Sequence, residues 1–261
     1  MAEPEKLRAR LYLHRGDLAN ARACYEEAVR SDRESGNRSG LCESLGNLGN
    51  VCAMMGATPQ ARQCYEELLA LQRQEPNPFA IGQTLVNLGN LHLDAGEPAL
   101  ARPYYLQALD ILTPLDDHRS LGILYSNLAL VAAALGEPLR AIESFRQALE
   151  YHRRIGNEEG LAVTYGQLGR LSLSTGDDGQ AERCLNNATE HFIKLGDARG
   201  EAGALRLLAD LYEQRGDLVS ARRCAERVAL VLQRCGSALT AEDTARLERI
   251  ALKLASGDAC R

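Results

Sequence analysis

The usual marks of chemistry are missing from this sequence. It has no tryptophan and only three phenylalanines among 261 residues. There is no GxSxG elbow, no phosphate-binding glycine loop and no paired-cysteine motif, so neither enzymatic activity nor a cofactor is expected. The five histidines, His14, His92, His118, His152 and His191, fall in different parts of the chain. None has metal-ligand spacing, so no metal is expected. The stretch STGDDGQ at 174–180 lacks the further ligands of a calcium loop. The net charge is -5, and no run of like charges could form a nucleic-acid footprint. The opening MAEPEKLRARLYLHRG has scattered charges and no apolar core, which fits neither a signal peptide nor a membrane span. No segment alternates with the period of two that a strand requires.

What is present is a period of 40. Glycine recurs at Gly16, Gly56, Gly96, Gly136, Gly176 and Gly216, and alanine at Ala21, Ala61, Ala101, Ala141, Ala181 and Ala221. Such self-similarity marks a solenoid in which each unit contacts mainly its neighbours. Helices are predicted near 4–15 and 18–33, 38–55 and 59–74, 78–95 and 98–114, 118–135 and 138–154, 158–175 and 178–195, and 198–215 and 218–235. A thirteenth is predicted at 240–255. The division expected is six repeats over 1–236, the first one short, then a capping helix at 237–256 and a tail at 257–261. Arg249 occupies the small slot of Gly49, so a further repeat has no room to stack. Arg246, Glu248, Arg249 and Lys253 give this last helix the polar flank of a cap.

The period also explains the cysteines. Cys24, Cys64, Cys184 and Cys224 fill one equivalent slot and are separated by whole repeats, so they read as packing residues in a reducing compartment. Cys42, Cys52, Cys235 and Cys260 show no ligand spacing. A cytoplasmic location is expected. Another recurring slot reads Ala9, Gly49, Gly89, Ala129, Gly169 and Ala209, mostly preceded by leucine; it lets paired helices approach closely. Tyr25, Tyr65, Tyr105 and Phe145 are expected to plug the space between repeats.

Leu45, Leu48, Gly49, Gly56, Ala61 and Tyr65, matched by Leu85, Leu88, Gly89, Gly96, Ala101, Tyr105 and Ala108, resemble the tetratricopeptide repeat family. The resemblance covers about residues 4–235. The period is longer than the family's usual 34, and Leu45, Leu85, Tyr125, Tyr165 and Leu205 replace its early tryptophan. The long form, with its NLG segments, looks like the repeats of Leu-Gly-Asn spindle-orientation adaptors and kinesin light chains. The resemblance implies an all-α, right-handed superhelix whose first helices line a concave, partner-binding groove.

In that frame the groove residues are Asn47, Asn50, Val86, Asn87, Asn90, Leu93, Ile123, Asn127, Leu130, Gln167, Arg170 and Arg206. Asparagine is a mediocre helix former, so propensity does not explain its recurrence every 40 residues. An amide supplies donors and an acceptor suited to an extended peptide backbone, and in related adaptors such a ladder grips a partner peptide. The alternative is that the asparagines bridge adjacent first helices and need no ligand. Arg170 and Arg206 could receive a carboxylate, or could be solvated or ion-paired with Asp210. A family subset clamps chaperone C-termini with lysine, arginine and asparagine. Here Gly46 and Val86 stand where lysines are needed, with Lys6, Asn47 and Asn87 the nearest approach.

The function expected is a non-enzymatic interaction scaffold that binds an extended segment of a protein partner, with no nucleic acid and no membrane. Two alternatives stay open. One is a ligand- or peptide-sensing regulatory arm of a larger switch protein. The other is self-association, with a homodimer formed through the N-terminal repeat where Leu7, Leu11, Tyr12 and Leu13 lack a covering neighbour.

Overall fold

A computed structural model describes residues 3–256. The tail at 257–261, with Cys260, lies outside the described residues. Thirteen α-helices run through them: α1 Glu3–His14, α2 Leu18–Glu34, α3 Arg38–Met54, α4 Thr58–Gln74, α5 Pro78–Asp94, α6 Pro98–Leu112 and α7 His118–Ala134. There follow α8 Pro138–Arg154, α9 Glu158–Ser174, α10 Asp178–Leu195, α11 Ala198–Gln214, α12 Leu218–Arg234 and α13 Ala241–Ala255. The chain divides into two compact units, Met1–Leu135 and Gly136–Arg261. Within each, every helix packs against its sequence neighbours, and α5 also touches α7, as α9 touches α11.

The turns explain why the helices keep phase. Asp17 accepts from the Asn20 amide, and Asn37, Asn77, Asn157 and Asp217 cap their helices in the same way. Each satisfies a first-turn N–H that has no intrahelical partner. Pro59, Pro98 and Pro138 stand in the first turns of their helices instead, where proline's missing N–H costs nothing. One turn departs from expectation. Helix α6 ends at Leu112 and continues as a single 3-10 turn, Thr113–Leu115. Asp116 then takes a left-handed conformation, φ 52°, at a position filled by glycine after α2, α8 and α10. Aspartate tolerates this region better than most side chains.

Close approach in three of the helix pairs depends on glycine. A β-carbon at Gly49 would lie 2.5 Å from the Tyr65 ring, and one at Gly89 would lie 2.6 Å from the Tyr105 ring. The Tyr65 and Tyr105 rings thus lie on the glycine of their own pair. In the C-terminal unit Leu185 covers Gly169 in the same way.

A second register device links one pair to the next. Positions 32, 72, 112, 152 and 192 hold Asp32, Gln72, Leu112, His152 and Phe192, and twelve residues on stand Ser44, Thr84, Leu124, Thr164 and Ala204. Ser44 Oγ donates to Asp32 at 2.8 Å and Thr84 Oγ1 to Gln72 at 2.9 Å. Where the first member is apolar, as at Leu112 and Phe192, the second is apolar too. Polar partners therefore occur as matched sets, as buried polar groups must.

The ends of the array carry buried charge. Lys6 is 2% exposed and Asp32 1%. The lysine donates to Glu43 at 3.0 Å and to the Gly40 carbonyl, and lies 3.3 Å from Asp32. Burial opposes its charge, but Glu43 and Asp32 outweigh that and hold the ammonium above its ordinary pKa. At the other end α13 was expected to turn Arg246 outward. Instead Arg246 is 5% exposed, donating to Asp210 at 2.6 Å. Arg249 does reach the surface, where it grips Glu213 with both Nε and Nη2 at 3.1 and 2.7 Å. Among the described residues, the seven cysteines are free thiols, and burial pushes the Cys64 thiol up to about 11.

Candidate peptide-binding surfaces

The two units each carry a cavity built on first helices. In the N-terminal unit a space of about 360 Å³ is lined by Asn50, Gln83, Val86, Asn87, Asn90, Leu112, Ser120 and Ile123. It gathers five of the groove residues expected from sequence. Asn47, Leu93, Asn127 and Leu130 do not line it and are half-buried nearby in sequence. Gln83 and Ser120 were missed. Gln83 shares a repeat slot with Ile123, so the period alone could have found it.

The asparagines divide into two kinds. Tyr65 Oη donates to Asn50 Oδ1 at 2.6 Å, and Tyr105 Oη donates to Asn90 Oδ1 at the same distance. Asn50 and Asn90 therefore share in the packing with the leucines and glycines of their helices. Burial pushes both tyrosine hydroxyls far above their ordinary pKa, so they remain donors. Asn127 Nδ2 also donates to Asn90 Oδ1 at 3.0 Å. That bond is the bridging alternative, realised between α5 and α7. With its oxygen engaged, each tyrosine-bound amide is held in one orientation, which leaves its N–H groups as the free functionality. Asn47 and Asn87 make no hydrogen bond among the described residues.

In the C-terminal unit a cavity of about 520 Å³ is lined by Val163, Gly166, Gln167, Arg170, Phe192, Gly200, Gly203, Ala204, Arg206, Leu207, Asp210, Glu242 and Arg246. Three expected residues, Gln167, Arg170 and Arg206, meet here. Arg206 was thought free or paired with Asp210. Instead its Nε and Nη2 donate to both oxygens of Asp243, each at 2.7 Å. Those bonds hold the Asp243 carboxyl well below the usual carboxylate range. Asp210 belongs to Arg246, while burial raises its own pKa. Arg170 is exposed on α9, with no carboxylate partner among the described residues.

Among the described residues, no group of histidine, cysteine, aspartate or glutamate could hold a metal ion, and no helix is long and apolar enough to cross a membrane.

Helix pairs at a 40-residue spacing, with a glycine under an aromatic ring in each of two consecutive pairs, define a repeat protein of the tetratricopeptide class. The chain belongs to the tetratricopeptide repeat family: its family models match residues 1–74, 80–154 and 121–194, with a shorter match at 202–227. No curated protein matches this sequence. Among solved structures it is similar to BtubC (BKLC) from P. vanneervenii, at 21% identity over 85% of this chain and 94% of that one, TM-score 0.76. It is also similar to kinesin light chain repeats of Podosopora anserina, at 17% identity over 74% and 95%, TM-score 0.63. A third similar structure is a Rap protein in complex with competence and sporulation factor, at 16% identity over 97% and 75%, TM-score 0.68. At these identities the likeness is one of fold.

Proposed function

We propose that this protein is a non-enzymatic, cytoplasmic scaffold that binds an extended segment of another protein along its first helices. In this reading residues 1–236 act as six repeats and 237–256 as the cap. The carrying observation is the orientation of the amides. Asn50 and Asn90 are each fixed through Oδ1 by a buried tyrosine hydroxyl, so their N–H groups stand ready for a partner's carbonyls without rotamer ordering. Packed helices lie about 8–10 Å apart, close to one turn of an extended polyproline-II segment, three residues at about 3.1 Å each. One carbonyl in three then faces the same way and can meet successive rungs, with Val86 and Ile123 taking side chains between them. Lys6, the nearest approach to a chaperone-tail clamp, is occupied by Glu43 and Asp32, which argues against a free C-terminal carboxylate as the ligand. The Rap structure is bound to competence and sporulation factor, so a scaffold of this fold does hold a partner.

The test is quantitative capture of cellular partners by the wild type and by Asn50→Asp/Asn90→Asp, which keeps an oxygen for each tyrosine hydroxyl and removes the N–H donors. Loss of partners by the folded variant supports the reading; full retention refutes it. Self-association has one observation in its favour. Leu7 and Leu11 are 61% and 53% exposed on α1, an apolar end that a second copy would cover. Sedimentation showing a monomer at high micromolar concentration would remove that reading.

A further inference from the structure

Neighbouring first helices are tied by residues 37 apart. Lys6 bonds Glu43 at 3.0 Å, Asn90 bonds Asn127 at 3.0 Å, and Arg206 bonds Asp243 at 2.7 Å. In the register of Lys6–Glu43 and Arg206–Asp243, the step Gly166–Gly203 is the one at which neither position has a side chain. These glycines are unlike those under the aromatic rings. A β-carbon on Gly203 would meet nothing within 4 Å, and one on Gly166 only Ala188, at 4.0 Å. Helix packing therefore does not require them, and an interior glycine weakens a helix relative to alanine. What their lack of side chains produces is the 520 Å³ cavity between α9, α11 and α13, within the size range of ligand sites.

We propose that this cavity receives a bulky apolar side chain of the partner segment, and that Arg170 at its rim pairs with an aspartate or glutamate close beside it. This rests on the scaffold reading above and adds the partner's chemistry. The walls supply carbon from Val163, Phe192, Ala204 and Leu207, which suits leucine or phenylalanine. Charge sets the neighbour. Of the three arginines at the cavity, Arg206 and Arg246 are matched to Asp243 and Asp210. Arg170 is the cation left for an incoming carboxylate, and a guanidinium holds one through two parallel bonds.

The experiment is a phage-displayed random decapeptide library selected on the full chain, with Gly203→Leu selected in parallel. A β-carbon at Gly203 meets nothing within 4 Å and alanine-like side chains favour a helix over glycine, so Gly203→Leu should fold with near wild-type thermal stability; Gly166→Leu serves as a second filling variant. Selected peptides should carry leucine or phenylalanine with an acidic residue within two positions. As synthetic fluorescein conjugates they should lose roughly 30-fold in affinity to Gly203→Leu and roughly 10-fold to Arg170→Glu. An acidic-to-lysine peptide should recover on Arg170→Glu. Affinity that falls with Asn50→Asp/Asn90→Asp but is unchanged by Gly203→Leu and Arg170→Glu overturns the cavity assignment and leaves the scaffold reading standing. Affinity unchanged by all of these variants overturns both. No enrichment over the Gly203→Leu selection also overturns the cavity assignment.

Discussion

On α5, in the N-terminal unit, the cavity-lining positions are Gln83, Val86, Asn87 and Asn90; on α11, in the C-terminal unit, the equivalent positions are Gly203, Arg206, Leu207 and Asp210. The helices share length and phase. The first surface is neutral and fastened from beneath by a tyrosine hydroxyl, while the second is fastened by ion pairs to α13. A hydroxyl–amide bond needs no counter-charge and leaves donors over. An ion pair consumes the charge that it brings in, so on the second surface Gln167, Arg170 and the glycine step are what the fastening leaves uncommitted. Burying charge is costly unless it is paired, which is why Arg246 is found with Asp210 and not alone.

The largest expected difference between the units lies in packing. Tyr105→Ala should remove about 3–5 kcal/mol of local stability, read as faster hydrogen exchange in α5 and α6 while α9 and α10 keep their protection. Tyr105→Phe should cost only about 1 kcal/mol. Equal losses would mean that the hydroxyl–amide link, and not the ring on Gly89, holds the pair.

Next comes the ionic fastening. Asp243→Asn should cost about 2 kcal/mol, seen as fraying of α13. Asp243 has its folded pKa depressed, so its contribution is complete above the unfolded value near pH 4 and shrinks as pH falls toward the folded value. Thermal melts from pH 5 downward should show acid loss of α13 in the wild type and a weaker pH dependence in the variant. The fastening of Asn90 by Tyr105 should not respond over that range.

A smaller effect is expected at His152, which is buried with its pKa lowered by desolvation. Asn157 Nδ2 lies 3.2 Å from its Nδ1. The neutral ring is favoured in the fold, so its contribution is complete above the unfolded value near pH 6.5 and is lost as pH falls through the lower folded value. His152→Leu, the residue found at equivalent position 112, should flatten stability between pH 7.5 and 5. An unchanged slope would assign the pH dependence to other groups.

The smallest effect belongs to the unbonded amides. Asn47→Ala/Asn87→Ala should alter stability by no more than about 0.5 kcal/mol, whereas Asn90→Ala strands the Tyr105 hydroxyl and should cost about 1–3 kcal/mol. Equal costs in urea unfolding would erase the distinction between bonded and free rungs.

Much of the fold was legible because it is written locally. Asp17, Asn37 and Asp217 announce their own helix starts, and Gly49 and Gly89 announce a close approach by recurring in phase. The candidate surfaces were less legible. Asn50 and Asn87 look alike in the sequence, yet one accepts a tyrosine hydroxyl and the other is unbonded. Arg206 and Arg170 also look alike, and only one meets a carboxylate. A repeat period identifies equivalent positions without saying what each touches on the next helix.

By itself, then, the 40-residue period determined the helices, their caps, the small-residue slots and the family, since each follows from propensity, capping and packing within about one repeat. Tertiary structure decided which side chains 37 residues apart actually meet: Lys6 with Glu43, Asn90 with Asn127, Arg206 with Asp243, and nothing across Gly166 and Gly203. That offset of three from the period reflects how adjacent first helices lie against each other, a quantity set by side-chain packing between helices rather than by the pattern along any one of them.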